Sequence, residues 1–234
     1  IMPMDVWFDI LDGGKGTYDG PVFKNFKKRL DIDWSNYWVD RENMVRAVND
    51  KINAYKMTEQ QAERIGVYAA ARQKGGREKL YNNGMTDEQI DAIELTPQEM
   101  DVYKMMREMM DKARPRIADV MKDVYNKDLG SVEEYFPFVT DFEKLSDAEM
   151  FDRFGNAIDE FIIRKKNVEK GFTEERTTPG KQKIQINAFD LFNQHMDNVA
   201  YLLNAGKDIK MLSEIAKTDA FQNKVGDVGQ LQTL

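Results

Sequence analysis

Apolar residues recur at helical spacing along most of the chain. In "NAFDLFNQHMDNVAYLLNAG", Asn187 to Gly206, the residues Phe189, Phe192, Met196, Val199 and Leu203 step by three and four, which lays them along one helical face. The same period sets Val45, Val48, Ile52 and Tyr55 on one face of a helix predicted from about Arg41 to Lys56. It sets Phe151, Phe154, Ile158, Phe161 and Ile162 on another, from Asp147 to about Lys166. Further helices are predicted from Glu59 to about Gln73, from Asp87 to Glu94, from Pro97 to about Asn126, and from about Asp208 to Lys217.

The starts of these helices carry a chemical signature. "TEQQ" at Thr58, "TDEQ" at Thr86, "TPQE" at Thr96 and "SDAE" at Ser146 have the form of a capping box. There the hydroxyl accepts from the backbone three residues on, and the acid or amide reaches back. Pro97 occupies a first helical position, where its missing N–H costs nothing. Asn187 is placed to cap the helix that follows it, and Gly206 to stop that helix. Pro115 falls inside the longest helix, where a kink or break is expected.

Two stretches lack the helical period. "LDGGKGTYDGPVF" near the N-terminus reads as glycine-rich loop. In "GFTEERTTPGKQKIQI" a turn at Thr178 to Gly180 precedes alternation from Lys183 to Ile186, which suggests an extended arm or small hairpin. The expected fold is therefore all-α: an irregular multi-helix assembly with a long Pro-kinked helix and a short extended or hairpin arm near 171–186. It divides into a loop-rich N-terminal arm (1–40), a main helical region (41–166), an extended basic arm (167–186) and a C-terminal helical pair (187–234). The opening "IMPMDVWF" and the closing "GQLQTL" give the expectation of a segment cut from a longer polypeptide.

Composition narrows the chemistry. The 234 residues contain no cysteine and one histidine, His195. That removes a disulfide framework and thiolate metal sites. No apolar run approaches the roughly 20 residues needed to span a bilayer. A net charge of −7 argues against a dedicated nucleic-acid binder, though not against a local basic patch.

"DGGKGT" invites comparison with a phosphate loop. The motif fails, because Gly14–Lys15 is followed by Gly16 and the leading glycine position holds Asp9. A carboxylate-bridged di-iron bundle needs Glu-x-x-His pairs, and Phe192 stands three residues before the single histidine. A nucleophilic triad could use only His195, which flanks the apolar stripe beside Leu191, Leu202 and Met196. It reads as a boundary histidine held by a hydrogen bond. The acidic "TDEQIDAIE" reads as the solvated face of a short helix. No catalytic residue, cofactor site or metal site is expected.

Interaction candidates remain. Arg164 to Lys183 holds seven basic and three acidic residues, and Arg164, Lys165, Lys166, Lys170, Lys181 and Lys183 are the candidate contacts to packaged DNA or an acidic partner. A solvated face is the plainer reading of them. Phe189, Phe192, Met196, Val199 and Leu203 are the candidate partner-packing surface, used within the chain or against a second copy. "MMREMM" (Met105 to Met110) suits either a core or an adaptable interface. "DWSNYW" holds two of the three tryptophans, as core or as partner anchor.

Five phrases, in this order, carry a resemblance: "FDILDGGKG…YDGPVF", "LTPQEMDVYKMMREMMDKA", "VEEYFPFVTD", "GFTEERT" and "NAFDLFNQHMDNVAYLL". From about Phe8 to Ile215 the chain resembles helical segments of the large polyvalent proteins of phages and mobile elements, and the related internal or ejected virion proteins. The sharpest parts are Val132 to Pro137 and Asn187 to Leu203. The resemblance implies a structural, non-enzymatic segment carried in the phage head or tail and delivered with the genome. Its partners would be other virion proteins of the portal or tail region and copies of itself, and it would reside in the infected bacterium's cytoplasm before assembly. The alternative is a helical spacer or docking module of a large enzyme whose active domains lie elsewhere. The resemblance assigns no catalytic residue. Helices with local contacts re-form quickly, and a chain without cysteine does not cross-link; both suit passage through a narrow tail.

Overall fold

The computed structural model describes residues 4–126, 135–137, 184–216 and 218. These residues are mostly helical and form no sheet. The helices are α1 (Met4–Leu11), α2 (Lys28–Ala54), α3 (Glu59–Arg72), α4 (Gly76–Asn82), α5 (Asp87–Asp91), α6 (Pro97–Tyr125) and α7 (Ala188–Ala216), with a turn of π-helix at Phe23–Lys27 leading into α2.

Three of the four capping boxes are present with both halves formed: Thr58 with Gln61, Thr86 with Gln89, and Thr96 with Glu99. The fourth, at Ser146, lies outside the described residues, as does the helix predicted from Asp147. Asn187 Oδ1 accepts from the N–H groups of Phe189 (3.0 Å) and Asp190 (3.2 Å), so it caps α7 as its sequence position suggests. α6 continues through Pro115 to Tyr125 without a break, and Asn126 ends it in the left-handed conformation.

The N-terminal region is more helical than a loop-rich arm over 1–40. Helical backbone resumes at Pro21, so the loop is confined to 12–20. Two carboxylates give it fixed form. Asp9 accepts from Gly16 N (2.7 Å) and Tyr18 N (3.2 Å). Asp12 accepts from Val22 N and Phe23 N, both at 2.8 Å, satisfying donors that a helix start leaves open. A Cβ on Gly20 would collide with the Asp12 side chain, so glycine is needed there. The apolar period of α2 then begins at Leu30 and continues through Trp34, Tyr37, Met44, Val45 and Val48.

The C-terminal end also differs from expectation. α7 is one helix rather than a pair, and it passes through Gly206. Ala205 and Gly206 are both buried, and Asp208 beyond them is tied to α2. Glycine disfavours a helix interior by about 1 kcal/mol, and tertiary packing overrides that preference here.

α2 and α7 run antiparallel: Arg29 meets Asp208 while Arg41 meets Asp197. α6 runs parallel to α7, its Met106 and Met110 sharing a cluster with Phe192 and Met196, and its Ile117 and Met121 one with Leu202 and Ala205. Of the methionine run, Met106 and Met110 are buried and Met105 and Met109 pack against them. Trp34 packs on the core, whereas Trp38 stays half exposed.

Two extended pieces close the other end. Phe136 is buried against Tyr103, its N–H donates to Gln73 Oε1 (3.4 Å), and Arg107 donates to the Tyr135 carbonyl. Asn83 brackets Ile184 with two hydrogen bonds of 2.8 Å, one to its carbonyl and one from its N–H. Ile186 then crosses α3 at Gly66, where any Cβ would strike its carbonyl oxygen. Of the arm expected near 171–186, only this extended end belongs to the described residues.

Candidate functional site

α7 carries His195 and the whole of the candidate packing stripe. Phe192, Met196 and Val199 are fully buried, and Phe189 and Leu203 are partly so. Burial is not confined to that stripe. Leu191, Ala200, Tyr201, Leu202 and Ala205 are buried as well, which places α7 at the centre of the bundle. Phe192 and Met196 pack with Val45 and Val48 of α2, Ile65 of α3, Tyr103 and Met106 of α6, and Phe136. Val199 packs with Leu30, Tyr37, Ile117 and Met121.

His195 is not at a boundary. It is 8% exposed, with its ring centroid 5.4 Å from that of Tyr135. Burial pushes its pKa down to about 4, because the charged imidazolium would lose its hydration there. At neutral pH it is a neutral ring within the core.

Reading the apolar pattern alone misses the polar seam between α2 and α7. It has three stations. At the first, the Arg29 fork holds Asp208 through Nε–Oδ2 (2.9 Å) and Nη2–Oδ1 (2.6 Å), and Asp33 lies against the same carboxylate. At the second, Asp40 accepts from Arg116 of α6 and from Asn204 of α7, both at 3.0 Å. At the third, Asp197 accepts from the Tyr37 hydroxyl and from Arg41 Nε (2.8 Å).

The signal was present in the sequence. Arg29, Asp33, Tyr37 and Arg41 recur at steps of four, with Asp40 three residues after Tyr37, continuing the apolar face of α2 with polar groups. What the sequence does not show is their partners, 156 to 179 residues away for the Arg41–Asp197 and Arg29–Asp208 pairs. Because each station has donors opposite acceptors, sliding one helix past the other would strand buried charge. Ion pairs of this kind add little net stability, and the buried Asp208 carboxylate is the one that a change of register would leave most exposed to that cost.

The first station also has a chemical peculiarity. Asp33 has its pKa raised to about 7, first by burial and then by the charge and hydrogen bonding of Asp208, with Arg29 acting the other way. Its Oδ2 atom is buried and receives no hydrogen bond. Two facing carboxyls beside one guanidinium are best satisfied by three charges reduced to two, with a proton retained on Asp33.

Among the described residues no group of three or more His, Asp or Glu side chains could hold a metal ion. Among the same residues no helix is long and apolar enough to cross a membrane. Arg164, Lys165, Lys166, Lys170, Lys181 and Lys183 all lie outside the described residues. Comparison of the chain with protein families, with curated proteins and with solved structures gives no match.

Proposed function

We propose that the chain is a structural, non-enzymatic segment of a phage internal virion protein, packaged in the particle and delivered with the genome. The observation that carries this reading is the use made of α7. Its single histidine is buried and uncharged, and its Asp197 and Asp208 are committed to ion pairs with α2. The helix richest in candidate chemistry is thereby spent on holding the bundle together. The resemblance of the five sequence phrases to internal virion and polyvalent proteins supplies the biological setting. On this reading the partners are other virion proteins of the portal or tail region and further copies of the chain, and the location is the virion interior. The test is mass spectrometry of purified particles from the phage that encodes it. Peptides such as those spanning Thr96 to Lys112 are expected in intact, nuclease-washed particles, and their absence overturns the proposal.

A second reading rests on a different observation. Ile32 and Val39, seven residues apart and so on one face of α2, are 58% and 60% exposed. Such a patch suits docking to a neighbouring domain, as in a helical module of a large phage or mobile-element enzyme. Polymerase, helicase, transferase or peptidase motifs flanking this segment in its reading frame would favour that alternative. Contact with packaged DNA through the basic arm makes a separate demand. Binding should weaken steeply with salt and disappear when Lys165 and Lys166 are changed to Glu.

A further inference from the structure

We propose that Arg29, Asp33 and Asp208 form a proton-operated clasp, which fastens the part of α7 beyond Gly206 to α2 when Asp33 is protonated and loosens it when that proton leaves. Four observations converge on it. Asp208 is 4% exposed yet sits beyond a glycine in the middle of a helix, a point where the backbone bends at low cost. The Arg29 guanidinium grips Asp208 as a two-pronged fork, with both of these bonds on that one carboxylate. Asp33, one helical turn after Arg29, faces the same carboxylate. Its buried Oδ2 atom receives no hydrogen bond, and a proton on the carboxyl makes it a donor to Asp208 in place of a second negative charge.

The neighbouring charges do not relieve this arrangement. From the N-terminal side, Lys27 is turned to Asp31 (2.5 Å) and Asp5 (3.4 Å), while Asp9 and Asp12 accept backbone N–H groups. On α7, Lys207 is exposed, and Lys210 donates to the Val124 carbonyl at the end of α6 and lies 3.6 Å from Glu214. The charges that act on Asp33 are Asp208 and Arg29. With the proton in place the three groups are neutral in sum. Without it they carry one uncompensated negative charge beside the buried Asp208 carboxylate, at a station whose Arg29 edge is half exposed to water.

The pH window follows from the direction of the shift. Asp33 titrates near its ordinary 3.8 when the clasp is open and near 7 when it is closed. Between those values the closed form alone holds the proton. The clasp is therefore firmest at and below about pH 4, weakens as pH rises, and has lost the proton's contribution above about pH 7. One proton is linked, so opening becomes more frequent by at most about tenfold per pH unit within that window.

The experiment is amide hydrogen exchange on the intact chain between pH 4.5 and 8, corrected for the intrinsic pH dependence of exchange. In the native chain, amides after Gly206 should open increasingly often up to about pH 7 and then level off. Asp33→Asn and Asp33→Ser each place a non-titrating donor before Asp208. Both should give flat profiles at the level of the native chain at low pH. A flat profile in the native chain overturns the clasp. So does a slope that survives in both variants, or variants that are flat but as open as the native chain at pH 8.

Discussion

The α2–α7 pair is two interfaces in one. Toward the C-terminal end of α2 it is dry: Val45 and Val48 meet Phe192 and Met196 within a cluster that also takes in Ile65, Tyr103 and Met106. Toward the N-terminal end the same helices are pinned by Arg29, Asp33, Asp40 and Arg41 against Asp197, Asn204 and Asp208. The dry half gains its energy from area removed from water, which depends little on pH or salt and tolerates small shifts of register. At the polar end the ion pairs add little net energy to the apolar packing of Leu30 and Tyr37 on Val199 and Leu202, because each must offset its own desolvation, but they favour one register. Apolar burial thus holds both ends of the pair, and the ion pairs add specificity at one.

The largest effect should come from the dry half. Phe192 is fully buried at its centre. Truncation to Ala leaves a cavity that α2, α3 and α6 cannot all close, and should cost about 3–5 kcal/mol in chemical denaturation. If Phe192→Ala leaves the midpoint unmoved, α7 does not pack as described in solution.

That prediction was open to sequence reasoning, and it marks the limit of what was. Signals that act within a few residues were legible. The boxes at Thr58, Thr86 and Thr96 and the Asn187 cap are closed by groups two or three residues away. The apolar stripe of α7 was legible for the same reason. Gly206 misled, because its local helix-ending tendency is overridden by burial and by the distant Arg29. The glycine cluster near Gly13 masked the start of α2, because the carboxylates that order that loop act by hydrogen bonds rather than by period. His195 read as a boundary residue because the stripe has one face, whereas α7 is surrounded. The seam pairs could not be assigned, since no short-range pattern couples Arg41 to Asp197.

Next in size is a pH effect that sets the two halves against each other. His195, in the dry half, takes up a proton near 6.5 when unfolded but only near 4 when folded. Between these values the unfolded chain binds the extra proton. The stability His195 contributes is thus complete above about pH 6.5 and is lost as pH falls toward 4, by up to about 3 kcal/mol. Asp33, in the polar half, has the opposite sign over nearly the same range, losing its contribution as pH rises toward 7. Solvent screening makes its weight smaller. In urea melts from pH 4 to 8, His195→Gln should leave stability declining as pH rises. Asp33→Asn should leave it declining more steeply as pH falls. Identical profiles in the two variants would mean that neither group is buried as described.

The third comparison lies within the seam. Asp197 serves two donors, the buried Tyr37 hydroxyl and Arg41, so Asp197→Ala should cost about 1.5–3 kcal/mol. The double change Arg41→Met with Asp197→Leu removes the stranded charge and should recover part of that loss. If it recovers stability while broadening the tertiary near-ultraviolet signal, the pair is kept for register. A double variant no more stable than Asp197→Ala would show instead that the pair contributes directly.

The smallest effect should come from the rim. Arg116 is 55% exposed at its side chain, and its partner Asp40 also accepts from Asn204. Removing Arg116 leaves Asp40 with a hydrogen bond and access to water, so no buried charge is stranded. Arg116→Ala should therefore cost less than about 1 kcal/mol, and the difference should shrink as salt screens the exposed pair. The contrast with Asp197→Ala is the informative quantity, since both variants break an ion pair that α2 makes with another long helix. If burial ranks the pairs, the two losses differ severalfold in low salt and the gap widens in high salt. Equal losses would mean that distance alone sets the strength of the seam, and that the dry and polar halves differ less in kind than their side chains suggest.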